Sequence, residues 1–433
     1  MVAIAVAAGT LALGGVAAAA EFLFSSPSTT AELRDSNRIF PAMAALPGGG
    51  TVVLYGGAPP GAGTPYEDTW VWDGAQWSAV CGTSATPTCG GVGPRLTPGI
   101  GPDPIGAVLY GGLPDESFSS PTSAMDDTWR FDGSTWTQLC DGCAPGTRWS
   151  AAVAGNGTQV VMFGGGTATP GQTLDDTWIW DGSTWTQLCS AGGSCGPAPR
   201  VGGALAWDGT AFVLFGGADQ LGPGQTLRTD TWRLVPGGSW VEVCSACAPP
   251  ARYWAGMTGL TSGARSGVVM GTGFQGSPPS AVADLWFLPA GGSDWEALPY
   301  SVGTACGLPN ALAMATHSGE TMVSFGLFFT TGPNGTLLGA WDRAGWTSAC
   351  DAIDPTGGPT DPPTTPTPPS RSAEPPARDG GSGDAGTLPR TGGRWLPLTW
   401  TGLAATAVGA AMVAAGRQAS IERRDSRRRP RRS

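Results

Sequence analysis

The chain has 433 residues, enough for one large domain with attachments or for two domains. Seventy Gly, 39 Pro and 19 Trp beside only 13% charged residues describe short strands and tight turns rather than helices, so an all-β body is expected. A formal net charge of −10 and the lack of any Lys exclude a nucleic-acid partner, which needs a basic footprint, and exclude Lys–Asn isopeptide cross-links.

Residues 1–20 form an apolar Ala/Gly/Val run that ends in small residues, with Ala18 and Ala20 placed for signal peptidase before Glu21. This segment reads as a signal peptide. It carries no Arg or Lys, which leaves open a start further upstream or an uncleaved N-terminal anchor. A short N-terminal segment, 21–37, follows.

From residue 38 to residue 350 the chain repeats. An apolar run ending in Gly-Gly recurs at Val52 to Gly57, Ala107 to Gly112, Val160 to Gly165 and Phe212 to Gly217, with weaker copies ending at Gly271 and Gly326. After a variable loop comes Asp-Thr-Trp at Asp68, Asp127, Asp176 and Asp230, then the degenerate Asp284-Leu285-Trp286 and Trp341. A final Trp closes each of six units, at Trp77, Trp136, Trp185, Trp240, Trp295 and Trp346. Each unit holds four runs of strand-like alternation, with Asp73-Gly74, Asp132-Gly133 and Asp181-Gly182 as hairpin turns.

Four strands at a period of about fifty residues, with Gly-Gly after the second and Trp in the third and fourth, resemble kelch repeats. The resemblance implies a single six-bladed kelch-type β-propeller with four strands per blade over 38–350, closed radially so that few strand edges are exposed. The repeated Trp residues read as core, filling the wedge between sheets. Asp-Gly-Ser-Thr-Trp at Asp132 and Asp181 is one residue short of the sialidase Asp-box, which counts against a sialidase.

The ten Cys follow the repeat, and in an exported protein they suggest disulfides. Local pairs are expected at Cys81–Cys89, Cys140–Cys143, Cys189–Cys195 and Cys244–Cys247, stapling the connections between blades, with Cys306–Cys350 left as a fifth. The alternative is zinc held by the two Cys-x-x-Cys pairs. Those pairs belong to units two and four, which are not neighbours in a six-membered ring, so no metal is assigned.

Connections from strand two to three, and from strand four to the next blade, emerge on one face of a propeller. Here they are long, varied and disulfide-bearing, and long loops on a rigid scaffold are where binding usually resides. Arg38, Arg95, Arg148, Arg200 and Arg252 recur just before each innermost strand, with Asn310 in the sixth place. They are expected either to ring the channel mouth and grip ligand carboxylates bidentately, or to bind the carbonyls that join blades. The kelch resemblance supports the first role, since arginines at such positions meet acidic peptides in some kelch propellers. Tyr66, Phe118, Phe274, Phe328 and Phe329 lie in the same loops as candidate stacking surfaces for a sugar or a protein.

His317 is the only His, in an expected turn on the opposite face. A Ser-His-Asp triad would have to use it, and copper oxidases of the galactose oxidase type, which share kelch blades, need two His ligands. No catalytic residue and no cofactor is therefore assigned. The ligand expected is an unidentified glycan or protein. The rival readings are a surface glycosidase built on an unseen pair of carboxylates or an Arg-based lyase, and a purely structural wall protein.

Residues 351–387 are rich in Pro, Thr, Gly and Ser and read as a disordered stalk. Then come Leu388, Pro389, Arg390, Thr391 and Gly392, an uncharged stretch at 395–416 long enough for a transmembrane helix, and an Arg-rich tail at 417–433. Motif, span and basic tail in this order resemble the LPxTG sorting signal of Gram-positive surface proteins. The resemblance implies cleavage between Thr391 and Gly392 by a sortase and transfer to a peptidoglycan precursor, with membrane contact only through the sorting segment. The mature chain, 21–391, then holds 14 Arg against 31 Asp plus Glu, a net charge of −17, at the cell wall.

Overall fold

The computed structural model describes residues 38–350 apart from 60–63, 116–117, 119–120, 194–195, 262–265, 278, 283, 299, 302–309, 319–320, 328–334 and 343–344. The expected signal peptide, N-terminal segment, stalk, sorting motif, membrane segment and Arg-rich tail lie outside the described residues.

Every regular element among the described residues is a strand. The first sheet runs in the order β1 (Ala42–Ala45), β2 (Val52–Tyr55), β3 (Thr69–Trp72) and β4 (Trp77–Cys81). The second takes β5 (Gly99–Pro102), β6 (Ala107–Tyr110), β7 (Thr128–Phe131) and β8 (Trp136–Cys140). The third takes β9 (Ala152–Gly155), β10 (Val160–Gly166), β11 (Thr173–Trp180) and β12 (Trp185–Cys189). The fourth takes β13 (Ala204–Trp207), β14 (Phe212–Phe215), β15 (Thr231–Leu234) and β16 (Trp240–Cys244).

In the fifth repeat, β17 (Gly256–Leu260) and β18 (Gly267–Gly271) precede a separate ribbon of β19 (Phe274–Gln275) and β20 (Ser280–Ala281). The sheet resumes with β21 (Leu285–Pro289) and β22 (Glu296–Ala297). The last repeat supplies β23 (Tyr300–Ser301), β24 (Asn310–His317), β25 (Thr321–Leu327), β26 (Gly335–Asp342) and β27 (Gly345–Cys350), in the spatial order β23-β27-β26-β25-β24.

The first strands β1, β5, β9, β13 and β17 are successive neighbours around one axis, and β24 lies between β17 and β1. The architecture is a β-propeller. The expectation of six equivalent four-stranded blades is corrected to five: the last repeat forms a five-stranded sheet, because β23 pairs in parallel with the open outer edge of β27 through Tyr300↔Trp346 and Ser301↔Thr347.

The second strand of each regular blade is buried on both faces, as in Val52-Val53-Leu54-Tyr55. Successive side chains alternate between two neighbours. Val53 and Tyr55 pack with Ala107, Leu109, Phe131 and Trp136 of the second sheet, while Val52 and Leu54 share a cluster with Ala313 and Ala315 of β24. A one-residue slip in β2 would exchange these two sets, so the register Val53↔Val71 and Leu54↔Trp70 is held from both sides. The outer strands are polar on the face turned to solvent, as in Trp136–Cys140.

Between the third and fourth strands a bulge recurs at Thr69/Trp70, Thr128/Trp129, Thr177/Trp178 and Thr231/Trp232. A bulge re-aims side chains. Here it sends Thr to the next blade and Trp back to its own Asp.

Candidate functional site

The five arginines are spent inside the seams. Arg38 Nη1 donates to Asp68 Oδ1 at 2.6 Å and to the Gly56 carbonyl at 2.8 Å, and Nη2 donates to Asp68 Oδ2 at 2.6 Å. The Trp70 indole donates to the same Asp68 Oδ2 at 2.7 Å. The pattern repeats as Arg95–Asp127, Arg148–Asp176, Arg200–Asp230 and Arg252–Asp284. All five arginines are at most 4% exposed.

The ligand-gripping role expected for Arg38, Arg95, Arg148, Arg200 and Arg252 is therefore corrected: both terminal nitrogens already face a carboxylate and the arginines are buried. Burial alone would raise the Asp230 carboxyl, but the hydrogen bond and charge of Arg200, with Trp232, hold it below its ordinary value.

The Gly-Gly pair and the Asp-Thr-Trp threonine complete the joint. Gly57, Gly112, Gly165 and Gly217 donate their N–H to the carbonyls of Arg95, Arg148, Arg200 and Arg252, which start the following blades, at 2.8 to 3.1 Å. The first glycine must also be glycine. A Cβ on Gly111, whose φ is 61°, would sit 2.4 Å from the Arg148 carbonyl oxygen.

The loop aromatics are packed rather than presented. The Tyr66 ring lies 4.4 Å from the Arg38 guanidinium, and burial pushes its hydroxyl pKa up. Phe118 is wedged against Phe40, Trp149 and Trp254 at 5.5 to 6.0 Å, and Phe274 meets Tyr253 and Trp254. The stacking role expected of Phe118 and Phe274 is corrected accordingly, to packing in the aromatic cluster at one end of the axis, while Tyr66 is half-buried on Arg38. Phe328 and Phe329 lie outside the described residues.

At that end a run of backbone hydrogen bonds links the first five blades. Thr97 N–H donates to the Phe40 carbonyl, Ser150 to Thr97, Gly202 to Ser150 and Trp254 to Gly202, at 2.8 to 3.4 Å. Each residue of the run sits two residues after a seam arginine or in the matching place, and all have φ between 50° and 64°. Phe40, Thr97, Ser150 and Trp254 rarely adopt this left-handed backbone; here it turns their amides tangentially toward the neighbouring blade. Trp254 also reaches across the axis to donate to Ser150 Oγ at 2.6 Å. What remains open at this end is a pocket of about 130 Å³.

The larger opening is on the other side. A cavity of about 270 Å³ lies on the axis and reaches the short-turn face at residues 46–49, 155–157 and 261. All six first strands line it, including Met43, Ile100, Val153, Leu205, Met257 and Met314 from matching positions. No Asp or Glu is among its described lining residues, so the carboxylate pair of a glycosidase is not formed there. Its buried polar groups include Thr258 and Thr316, whose hydroxyl oxygens are 2.7 Å apart.

Three of the expected disulfides are formed, Cys81–Cys89, Cys140–Cys143 and Cys244–Cys247. Two of these oxidise the cysteines on which the zinc alternative depended. Cys189 is disulfide-bonded; Cys195 and the Cys306–Cys350 pairing lie outside what is described. Among the described residues no group of three or more His, Cys, Asp or Glu side chains is placed to hold a metal. His317, expected in a turn, is instead the last residue of β24, paired with Thr321, with Nε2 3.1 Å from the Gly50 carbonyl.

Sequence reasoning missed a second set of buried ion pairs. Asp103 and Asp208, both fully buried in first-hairpin turns, bind Arg130 and Arg233 of the third strands. Arg130 reaches on to the Gly182 carbonyl at 2.8 Å and Arg233 to that of Pro289 at 2.9 Å, so each pair locks its blade to the next. The signal was present as an Asp-Arg co-occurrence in units two and four only. No family model and no curated protein matches the chain.

Proposed function

We propose that this is a sortase-anchored surface protein of Gram-positive bacteria whose kelch-like propeller is a binding head for a glycan or protein. The address rests on the three-part C-terminal tail, read with a Pro-rich spacer and an acidic, Lys-free mature chain. Binding rests on one observation: the repeated residues are committed to seams, while the axis keeps a cavity open to one face and lined by residue types that differ from blade to blade.

The rival reading is a surface glycosidase or lyase. Probing glycan and protein arrays with the mature chain separates the two. Specific retention without chemical change supports the binding head, and turnover of a retained glycan sinks it in favour of the enzyme.

A further inference from the structure

The axial cavity has a polarity order. At its inner end the lining comes from the apolar residues Met43, Ile100, Val153, Leu205, Met257 and Met314, one from each first strand. Methionine is unbranched and adapts to the shape of what it meets. One residue along their strands toward the short-turn face come Thr258 and Ala315, then Thr316, and the described rim residues carry no charge.

The hydroxyl pair fixes what kind of polar group fits. Thr316 Oγ1 donates to the Gly259 carbonyl, which can only accept. The proton between Thr258 and Thr316 must then come from Thr258. Thr258 Oγ1 is left with acceptor capacity and no proton to give, inside an apolar wall. A ligand must bring a donor to that oxygen. It must also be neutral, because an ionised group would be desolvated with no charged partner in the lining, within a mature chain of net charge −17 that repels anions.

We propose that the axial cavity binds a neutral aliphatic alcohol end-on, with its hydroxyl donating to Thr258 and its alkyl end against these six apolar residues. A cavity of about 270 Å³ has room for a short alkyl chain. The proposal goes beyond the binding reading, since an aliphatic alcohol is neither a glycan nor a protein, and the two fail separately: a cavity that takes no alcohol leaves array retention and wall attachment to be judged by their own results.

The test titrates the mature protein with 1-butanol, 1-hexanol and 1-octanol, reading heat and ¹³C-methyl methionine resonances. Affinity is expected to rise about fourfold per added CH₂. Shifts are expected at Met43, Met257 and Met314 and not at Met162 or Met270, which are fully buried within blades. Thr258→Val is expected to weaken 1-octanol about fivefold, the worth of one neutral hydrogen bond, and to abolish its advantage over octane. Octanoate is expected not to bind. Absence of shifts at the three axial methionines up to the solubility of 1-octanol would overturn the proposal without any variant, as would binding of octanoate equal to that of 1-octanol.

Discussion

The indole N–H of Trp136 in the second blade donates to the hydroxyl of Thr69 in the first at 2.8 Å. The same reach joins Trp185 to Thr128, Trp240 to Thr177 and Trp295 to Thr231 at 2.8 to 3.1 Å. The Thr and the closing Trp of the repeat are thus two halves of one bond, made between different units. Thr177→Val keeps the shape and removes the acceptor from a buried indole, so a loss of about 1–3 kcal/mol is expected in urea unfolding. Adding Trp240→Phe should cost less than the sum of the two single changes, because the bond is already gone.

The Arg–Asp pairs predict a larger effect. In Arg148→Met, the Asp176 carboxyl loses its guanidinium partner in a site only 4% exposed. A destabilisation of about 3–5 kcal/mol follows. An arginine held for a ligand would leave the unfolding midpoint in place when replaced.

Acid should weaken the fold through its turns. The Asp132 carboxyl accepts first from the Thr135 N–H and then from that of Ser134, and Asp181 does the same with Thr184 and the N–H and hydroxyl of Ser183, which pulls both down to about 2 from an ordinary 3.8. Groups with a depressed folded value contribute stability above their unfolded value and lose it as pH falls through the folded one. Thermal midpoints should therefore fall between about pH 4 and pH 2, less steeply in Asp132→Asn/Asp181→Asn, which keeps the turn geometry without the titration.

Glycine positions separate close approach from backbone freedom. Gly111→Ala and Gly171→Ala both place a side chain at positive φ, 61° and 75°. Only at Gly111 does the new Cβ meet a carbonyl, at 2.4 Å; at Gly171 nothing lies within 4 Å. Gly171→Ala should cost about 1–2 kcal/mol and Gly111→Ala clearly more, as measured by denaturation.

How much of this was readable beforehand differs residue by residue. The repeat, its strands and the three disulfides now seen follow from spacing, because hairpin turns, Gly-Gly and Trp mark positions along the chain. The fate of Arg148 does not, because its partner Asp176 is 28 residues away and a buried pair reads the same in sequence as a cation facing solvent. The axial lining was invisible for the opposite reason. Met43, Ile100, Val153 and Leu205 hold matching places with four different residue types, so no motif announces them. The last sheet departed from expectation through Tyr300–Ser301, too short to declare itself a strand.

That last repeat also has Asn310 where the others have Arg, and lacks Asp-Thr-Trp. Native-state hydrogen exchange should accordingly be faster in β24 to β27 than in β9 to β12, where the Arg148 seam is complete.

The central claim, a propeller displayed on the cell wall, is tested most directly at its attachment point. The full chain is expressed in a sortase-bearing Gram-positive host, purified walls are digested with a muramidase, and the C-terminal peptide of the released protein is weighed. The account predicts a peptide ending at Thr391 and carrying a peptidoglycan fragment on its carboxyl. Recovery of the protein in the membrane fraction with residues 392–433 still attached would contradict it.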